Sequence, residues 1–365
     1  MKILHINAGL EEGGGKSHIL SLLNNFSSQK VELLTLEEGE MAKEAREKGI
    51  PVIVLRQAGR YDLSILKKLK KIIKNGKYDI IHTHGARANF IVFLIHKSIS
   101  PKWITTVHSD PTKDFFDRGL KGKVFGQLNL MSLSHTDGII VVTESLKKKL
   151  SELSISSEKI YVIYNGIDFT YSKHMESHKN DKFTLTIIAR LHPIKGHRLL
   201  LDSLKKESFT CYELNIIGGG ELLTELKSLV IKNPLKGRVK FWGPLKKEKI
   251  ESILDETDLT LLTSYSEGFP LTLLESARQK VPFISTNVGD IKKLIPNDSY
   301  GWLVETNNSN EIRLALEEAY NEWEQGILYK KGEKVFQLAA TQYSLKNMVE
   351  KTEDVYACVV KNEKI

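Results

Sequence analysis

Short apolar runs alternate with stretches of helical periodicity from the first residues onward. In the first half, runs that predict strands lie at residues 2–8, 31–35, 52–55, 79–83, 103–107, 138–142 and 160–163, and helices are predicted at 16–26 and 41–48. Strands that alternate with helices are typical of a doubly wound parallel sheet. The first half therefore predicts one Rossmann-like α/β domain.

The pattern stops and then begins again. Residues 169–182 lose their periodicity and are rich in Ser, His, Lys and Asn, which predicts a linker. New strand-like runs follow at 183–188, 212–217, 239–242, 259–263 and 282–285, and residues 343–360 have helical spacing. We predict domains at 1–168 and 169–342, with a helix in 343–365 that packs back on the first. Ligands of such sheets bind outside the carboxyl ends of the strands, so a cleft between the domains is the expected site.

The composition is that of a soluble globular protein. The chain has 365 residues, of which 41% are apolar and 27% charged. No run approaches the roughly 18 apolar residues that a membrane span needs. Cys211 and Cys358 are far apart, so neither a disulfide framework nor a zinc site is predicted. A cytoplasmic location is expected, because the apolar start of the chain reads as a strand and not as a signal peptide.

The formal net charge of +8 is concentrated in the first half. Residues 1–180 carry 27 Lys and Arg against 19 Asp and Glu, whereas residues 181–365 carry 26 of each. This asymmetry indicates an anionic partner, either nucleic acid or an anionic membrane surface, or simply a solvated lysine-rich surface.

The most informative segment is residues 266–275, which follows a predicted strand and opens a helix. Pro270 is predicted in the first helical turn, followed by Leu271. The amides of Gly268 and Phe269 then lie at a helix N-terminus, where a diphosphate or a sugar hydroxyl can bind. Glu275 stands among apolar residues and needs a partner, either ribose hydroxyls or a neighbouring Lys or Arg.

Two cations follow the first strand of the second domain. Arg190 and Lys195 are placed to clamp a pyrophosphate and to stabilise charge on a departing nucleotide diphosphate. The glycines Gly218 and Gly219 follow another strand and permit close approach of a ligand, although turn formation explains them equally well. Trp242 is placed to flank a base.

In the first domain, a glycine cluster separates the first strand from the first helix. Gly13, Gly14 and Gly15 occupy the usual place of a phosphate-approaching loop, and Lys16 follows them. The segment falls short of a Walker A motif because the first glycine is at position 9 and not 10.

Histidines mark two strand ends of the same domain. His108 is placed to orient or hydrogen-bond a sugar. His82 and His84 lie on one face of an extended strand, and without a carboxylate or cysteine beside them a metal role is not expected. A structural role remains the alternative for all three residues.

Taken together, these segments resemble the GT-B fold glycosyltransferases of family 4, a large retaining family. The resemblance runs in order through residues 13–15, 78–84, 106–108, 164–168, 190–196 and 217–220, and it ends with Glu267, Glu275 and Gly289. Glu267 and Glu275 match the family's E-x7-E signature.

The resemblance implies a role for each part of the second domain. Arg190 and Lys195 would hold the diphosphate and Glu275 the ribose. Glu267, with the amides of Gly268 and Phe269, would hold the transferred sugar.

In the first domain, the resemblance places His108 near the reacting centre and Gly14 and Gly15 near phosphate or acceptor. It implies transfer of a hexose or N-acetylhexosamine, with retention, from a nucleotide-diphosphate sugar. A UDP-sugar is favoured, with a glycan or lipid-linked acceptor of the kind used in bacterial surface polysaccharide or glycolipid synthesis. Neither a metal nor a cofactor is required.

Membrane contact is a further expectation for the basic first domain. The segment 64–74 has five lysines against an apolar side, which is typical of a helix on anionic lipid and equally of an ordinary surface helix. The segment 115–125 combines aromatic and basic residues and is the better candidate for interfacial contact: Phe115, Phe116, Arg118, Lys121, Lys123 and Phe125.

Two alternatives remain at this point. A nucleotide-sugar 2-epimerase shares the GT-B architecture, although the E-x7-E element favours transfer. A non-enzymatic nucleic-acid-binding protein would explain the basic charge, but the basic stretches match no recognised motif that reads nucleic acid.

Overall fold

The computed structural model of the chain describes residues 1–363 except 11–12, 27–29, 60–61, 63, 113–118, 171–180, 206–210 and 234; the side chains at 119–121 and 123 are also outside the description. The chain divides into two compact units. Unit 1 comprises Met1–Gly166 together with Leu345–Ile365, and unit 2 comprises Ile167–Ser344.

Unit 1 is built on a seven-stranded parallel sheet of order β3-β2-β1-β4-β5-β6-β7. Its strands are β1 (Lys2–Asn7), β2 (Lys30–Thr35), β3 (Val52–Val54), β4 (Ile80–His84), β5 (Lys102–Val107), β6 (Gly138–Val141) and β7 (Ile160–Val162). Its helices are α1 (Gly14–Asn24), α2 (Glu40–Glu47), α3 (Ile65–Gly76), α4 (Ala86–Phe93), α5 (Gly119–Ser134), α6 (Glu144–Glu152) and α13 (Leu345–Lys361). The central strands are buried along their length, as expected for a parallel sheet covered on both faces.

The last helix completes one face of this sheet. Tyr356 and Val359 of α13 pack against Ile80 of β4 and Ile104 of β5, and Leu22 of α1 joins the same cluster. The other face is covered by α3 and α4. The N-terminal sheet therefore obtains part of its core from residues near the end of the chain.

Unit 2 has a six-stranded parallel sheet of order β10-β9-β8-β11-β12-β13. Its strands are β8 (Phe183–Ile188), β9 (Tyr212–Ile217), β10 (Val239–Gly243), β11 (Leu259–Leu262), β12 (Phe283–Thr286) and β13 (Trp302–Val304). Its helices are α7 (His197–Leu204), α8 (Leu223–Ile231), α9 (Lys247–Leu254), α10 (Leu271–Arg278), α11 (Ser309–Glu324) and α12 (Tyr329–Gln342). The prediction of two doubly wound parallel α/β domains is confirmed.

Both strand orders place a topological switch point beside the first strand of the sheet. In unit 2 the order reverses between β8 and β11, and in unit 1 between β1 and β4. Loops that leave two such strands run to opposite faces and open a crevice at their carboxyl ends. Most of the predicted site residues of unit 2 lie in loops at this end of the sheet.

The differences from the predicted elements are small. Most boundaries shift by one or two residues, and the short strand β13 was not predicted. In the part of the chain that the structure describes, no helix combines the length and hydropathy needed to cross a bilayer.

Candidate functional site

Two loops at the switch point of unit 2 meet through an ion pair. The loop after β8 carries Lys195, and the loop after β11 carries Glu267. The Lys195 ammonium donates to Glu267 Oε1 at 2.6 Å, and the Ser264 hydroxyl donates to the same oxygen at 2.6 Å. The two charged side chains are 19% and 13% exposed. The structure thus brings together two predicted site residues that are 72 positions apart in the sequence.

The backbones of these loops are also joined. The Tyr265 amide donates to the Ile194 carbonyl at 2.8 Å, and the Thr263 hydroxyl lies 3.1 Å from the Gly196 carbonyl oxygen. Gly196 has a left-handed conformation, with φ 68°, and a Cβ atom there would lie 1.9 Å from the Thr263 carbonyl oxygen. Only glycine fits both constraints, so the Lys-Gly sequence fixes the position from which Lys195 projects.

Gly289, in the loop after β12, supports the other side of the same loop. A Cβ at Gly289 would lie 2.3 Å from the carbonyl oxygen of Gly268 and 2.9 Å from that of Glu267. Its φ of 56° is also left-handed. The backbone around Glu267 therefore rests directly on a glycine from the next strand of the sheet.

Arg190 differs from Lys195 in having no partner among the residues that the structure describes. Its side chain is exposed, and no hydrogen bond or ion pair of the guanidinium is found within the described residues. The backbone beside it is held by the glycine loop: the Leu191 amide donates to the Gly219 carbonyl at 2.8 Å, and the Gly218 amide donates to Gly243 at 2.9 Å. The glycines thus pack against the strand end that presents Arg190.

Trp242 occupies an irregular position at the edge of the sheet. The pairing of β10 with β9 shifts in register between Phe241 and Gly243, so Trp242 is the extra residue of a bulge. Its indole N–H donates to Asn215 Oδ1 at 2.8 Å, and the Lys240 ammonium lies 3.6 Å from the ring centroid. One face of the ring is therefore already covered by a cation.

The helix after Glu267 begins one residue later than predicted. Pro270 has an extended ψ of 120° and stands at the N-cap, so the prediction of a first-turn proline was wrong by one position; the first helical residue is Leu271. The Phe269 ring is buried, with its centroid 4.7 Å from that of Tyr343. The phenyl group anchors the start of the helix in the core of unit 2.

Glu275 lies half-buried on this helix, α10. Burial raises the pKa of its carboxyl, and the positive charges of Lys247 and Arg278 oppose that rise. No hydrogen bond or ion pair of the carboxylate is found in the described part of the chain. Arg278 instead donates to Glu251 Oε1 at 2.6 Å. Of the two partners considered from the sequence, the neighbouring cation is therefore engaged elsewhere.

In unit 1 the glycine loop leads directly into α1. Gly13 precedes the helix, Gly14 and Gly15 lie in its first turn, and the Ser17 amide donates to the Gly13 carbonyl at 3.1 Å. Lys16 forms an ion pair with Glu44 of α2. The lysine after the glycines is thus neutralised by the protein itself.

His108, at the end of β5, belongs to a larger group than the sequence predicted. Five imidazole rings cluster in unit 1: His5, His18, His82, His84 and His108. The rings of His18 and His108 are 4.7 Å apart, and one buried ring nitrogen each of His18, His84 and His108 has no hydrogen-bond partner within the described part of the chain. Burial lowers the pKa of His5 to about 3 and of His18 to about 4, and it holds the pKa of the other three well below its usual range.

Three of these histidines are also arranged closely enough for one metal ion. Ring nitrogens of His5, His82 and His84 lie within 4.8 Å of one another. However, His5 Nδ1 and His84 Nε2 share a hydrogen bond of 3.0 Å. Both ring nitrogens of His82 are also engaged, by Tyr356 at 2.6 Å and by Thr106 at 2.7 Å. The arrangement is that of a hydrogen-bonded network of neutral imidazoles.

Sequence reasoning missed several residues of these sites. His18 and Leu22 are one turn apart on the buried side of α1, and this spacing was a usable signal for His18. Glu251 and Arg278 gave no such signal, because an acid and a base 27 positions apart are ordinary until folding places α9 beside α10. The interfacial segment 115–125 lies largely outside the described residues.

Comparison with known proteins identifies the class of protein. A family model described as "Glycosyl transferases group 1" matches residues 170–350, and one described as "Glycosyltransferase Family 4" matches residues 12–171. Together they span nearly the whole chain. The chain belongs to the family 4 glycosyltransferases, and it has the GT-B fold.

Individual relatives are distant in sequence but match most of the chain. UDP-Gal:alpha-D-GlcNAc-diphosphoundecaprenol alpha-1,3-galactosyltransferase of Escherichia coli is 24% identical, over 94% of this chain and 96% of its own. N-acetyl-alpha-D-glucosaminyl L-malate synthase of Bacillus anthracis is 25% identical, over 83% and 81%. The solved structure of Anabaena Alr3699/HepE in complex with UDP-glucose has a TM-score of 0.85 at 17% identity, covering 98% of this chain and 99% of the other.

Proposed function

We propose that this glycosyltransferase moves a hexose or N-acetylhexosamine from a nucleotide-diphosphate sugar to a hydroxyl group of a glycan or lipid-linked acceptor, with retention at the anomeric carbon. The observation that carries the proposal is the pairing of Lys195 with Glu267 at the switch point of unit 2. Arg190 is exposed in the same loop as Lys195, and Glu275, which has no ion pair among the described residues, lies on the helix that follows Glu267. Ligands of open α/β sheets bind at such points.

The donor would be held by groups of opposite charge. Arg190 and Lys195 would bind the diphosphate, and Glu275 would accept hydrogen bonds from the ribose hydroxyls. Glu267, with the amides of Gly268 and Phe269, would bind the transferred sugar. UDP is the favoured nucleotide, because the E. coli relative uses UDP-Gal by its name and the Anabaena structure contains UDP-glucose.

The proposed reaction breaks the bond between the anomeric carbon and the diphosphate and forms one to the acceptor oxygen on the same face. The hydroxyl proton passes to the departing diphosphate. Positive charge on Arg190 and Lys195 would stabilise the leaving group, since fixed charges aimed at developing charge are among the larger catalytic effects. On this scheme the chain uses no metal ion or cofactor, and His108 would contact the sugar at the reacting centre.

The acceptor would be bound by unit 1, through the region of Gly13, Gly14 and Gly15 at the N-terminus of α1. A lipid-linked acceptor fits the name of the E. coli relative, which acts on a diphosphoundecaprenol substrate. Such an acceptor would be offered at a membrane surface, as in the synthesis of bacterial surface polysaccharides or glycolipids.

Helix α3 supports peripheral contact with an anionic membrane. Its apolar residues Ile65, Leu69 and Ile73 face the core of unit 1, so lysines make up most of its exposed side. The five lysines are exposed, and none forms an ion pair among the described residues: Lys67, Lys68, Lys70, Lys71 and Lys74. An uncompensated basic surface of this kind is attracted to anionic lipid.

The experiment that tests the proposal is a screen of nucleotide sugars for thermal stabilisation of the chain, followed by analysis of the products. A ligand that prefers the folded state raises the apparent unfolding temperature. We expect stabilisation by one nucleotide sugar and, with a glycan or lipid acceptor, a glycosylated product with the anomeric configuration of the donor. Release of an epimer of the donor sugar, without transfer, would show a 2-epimerase instead.

A further inference from the structure

A partly buried ion pair joins α9 and α10 beside Glu275. The Arg278 guanidinium donates to Glu251 Oε1 at 2.6 Å, and the Arg278 side chain is 7% exposed. Lys247, in the first turn of α9, lies 3.8 Å from the same oxygen. Glu251 therefore forms a close ion pair with Arg278 and a longer one with Lys247.

Arg278 also lies near a second carboxylate, that of Glu275. It follows Glu275 by three positions on α10, and side chains at this spacing lie on the same side of a helix. A guanidinium group offers five donors in a rigid plane and forms strong two-point contacts with carboxylates. Nevertheless, Glu275 has no ion pair among the described residues, because the guanidinium is turned towards Glu251.

We propose that Glu251 is a positioning residue for the donor nucleotide: its ion pair with Arg278 holds the guanidinium off Glu275 and so keeps that carboxylate available to the ribose hydroxyls. The inference rests on the proposed function, because it assigns a purpose to the carboxylate of Glu275, for which no ion pair is found among the described residues. It extends the donor site to α9, which contributes no residue to the site predicted from sequence.

Replacing Glu251 by Gln retains the size of the side chain and removes its charge. The guanidinium then loses its partner within a largely buried environment, where an unpaired charge is costly. The carboxylates of Glu275 and Asp168 both interact electrostatically with Arg278, and Glu275 lies on the same helix, three positions earlier. Ribose hydroxyls must afterwards compete with an ion pair for Glu275, and binding of the nucleotide weakens.

The test is calorimetric titration of the full chain with UDP and with 2′,3′-dideoxy-UDP. We expect E251Q to weaken binding of UDP about tenfold, a size typical of residues coupled in one charge network, and to leave dideoxy-UDP unchanged. The double variant E251Q/R278Q should return to within about threefold of wild type, because the competing cation is gone. In an E275Q background, E251Q should have no further effect on UDP.

The exposed Arg198–Glu225 pair provides a matched control in the same unit. E225Q removes one carboxylate from an Arg–Glu pair between α7 and α8, and it should leave both affinities unchanged. Thermal unfolding of each variant verifies that it is folded.

Three results would overturn the inference: unchanged UDP binding in E251Q, equal weakening of UDP and dideoxy-UDP, or no recovery in E251Q/R278Q. A different result would overturn the proposed function itself. If the wild-type chain binds neither UDP nor ADP, GDP, CDP or dTDP, then there is no donor site for Glu251 to support.

Discussion

Lys195 and Glu267 project from loops after two different strands, yet the ammonium lies 2.6 Å from a carboxylate oxygen. Each side chain limits the conformations of the other, and the Ser264 hydroxyl further restrains the acid. The long, flexible side chain of Lys195 is therefore held in one place. Such preorganisation reduces the entropy lost on binding.

This pairing predicts that the two residues act as a unit. We expect K195Q and E267Q each to lower kcat/KM for the donor by about 10²- to 10³-fold, the range for loss of a group that stabilises developing charge. The double variant should fall by much less than the product of the two effects, because each single change already disables the pair. Initial rates of nucleotide release measure all three.

A control for this cycle is the Lys280–Glu333 ion pair, which has a distance of 2.8 Å and lies elsewhere in unit 2. E333Q should retain kcat/KM within about twofold of wild type. Fully multiplicative effects of K195Q and E267Q would contradict a coupled pair.

The packing of Gly289 against the backbone of Glu267 predicts that an added methyl group at position 289 is destabilising. G289A places a Cβ against the carbonyl oxygens of Gly268 and Glu267 and also forces alanine into a left-handed conformation. G326A has the same conformational cost, of about 1–2 kcal/mol, but its Cβ meets no atom within 4 Å. The difference in destabilisation between G289A and G326A therefore measures the cost of the steric clash.

We therefore expect G289A to lower the unfolding temperature more than G326A does, and only G289A to weaken stabilisation by UDP. Differential scanning calorimetry with and without UDP measures both quantities. Equal behaviour of the two variants would mean that the loop tolerates displacement.

The buried histidines predict that unit 1 is sensitive to acid. The pKa values of His5 and His18, about 3 and about 4, are below the ordinary value near 6.5. The unfolded state therefore binds more protons than the folded state between about pH 4 and 6.5, and stability is lost as the pH falls through this window. Each such histidine contributes a slope of up to about 1.4 kcal/mol per pH unit.

Hydrogen exchange measured at pH 7 and at pH 5 checks this expectation. Protection of β1 and β4 should fall more steeply than that of β8 and β9, since unit 2 has His197 as its comparably buried histidine within the described residues. A parallel loss in the two sheets would contradict a local origin in unit 1.

The basic helix predicts a contact that depends on lipid charge. Replacing the five lysines of α3 by glutamine should reduce cosedimentation with vesicles containing phosphatidylserine by at least about tenfold, because each basic residue near such a surface contributes about 1 kcal/mol. Neutral vesicles should show no difference. The control replaces five exposed lysines of unit 2: Lys227, Lys232, Lys236, Lys246 and Lys330. Equal loss from both sets would indicate net charge alone and not a defined surface.

The sequence predicted those features that have a local signal. The strands β8 and β9 have the predicted limits because an apolar run of six residues in a parallel sheet leaves little choice of ends. Pro270 was misplaced by one position because proline is compatible with both the N-cap and the first turn, and the ψ angle that decides between them is not visible in the sequence.

Contacts between distant segments could not be predicted in this way. The ion pair of Lys16 with Glu44, and that of Arg278 with Glu251, depend on how two helices pack side by side. The histidine network also uses Tyr356, which is 274 positions from its partner His82. Single-sequence patterns carry no information about such separations.

The distance along the chain between the strands of unit 1 and helix α13 has a consequence for biosynthesis. Unit 2 is one uninterrupted segment, Ile167–Ser344, and its two ends meet in a β-bridge between Ile167 and Ser344. The whole of unit 2 is therefore synthesised before α13. Until then, the sheet of unit 1 lacks the helix that covers one of its faces. The N-terminal half of the molecule is made first and completed last, and a nascent chain truncated before Leu345 would expose the apolar surface that chaperones recognise.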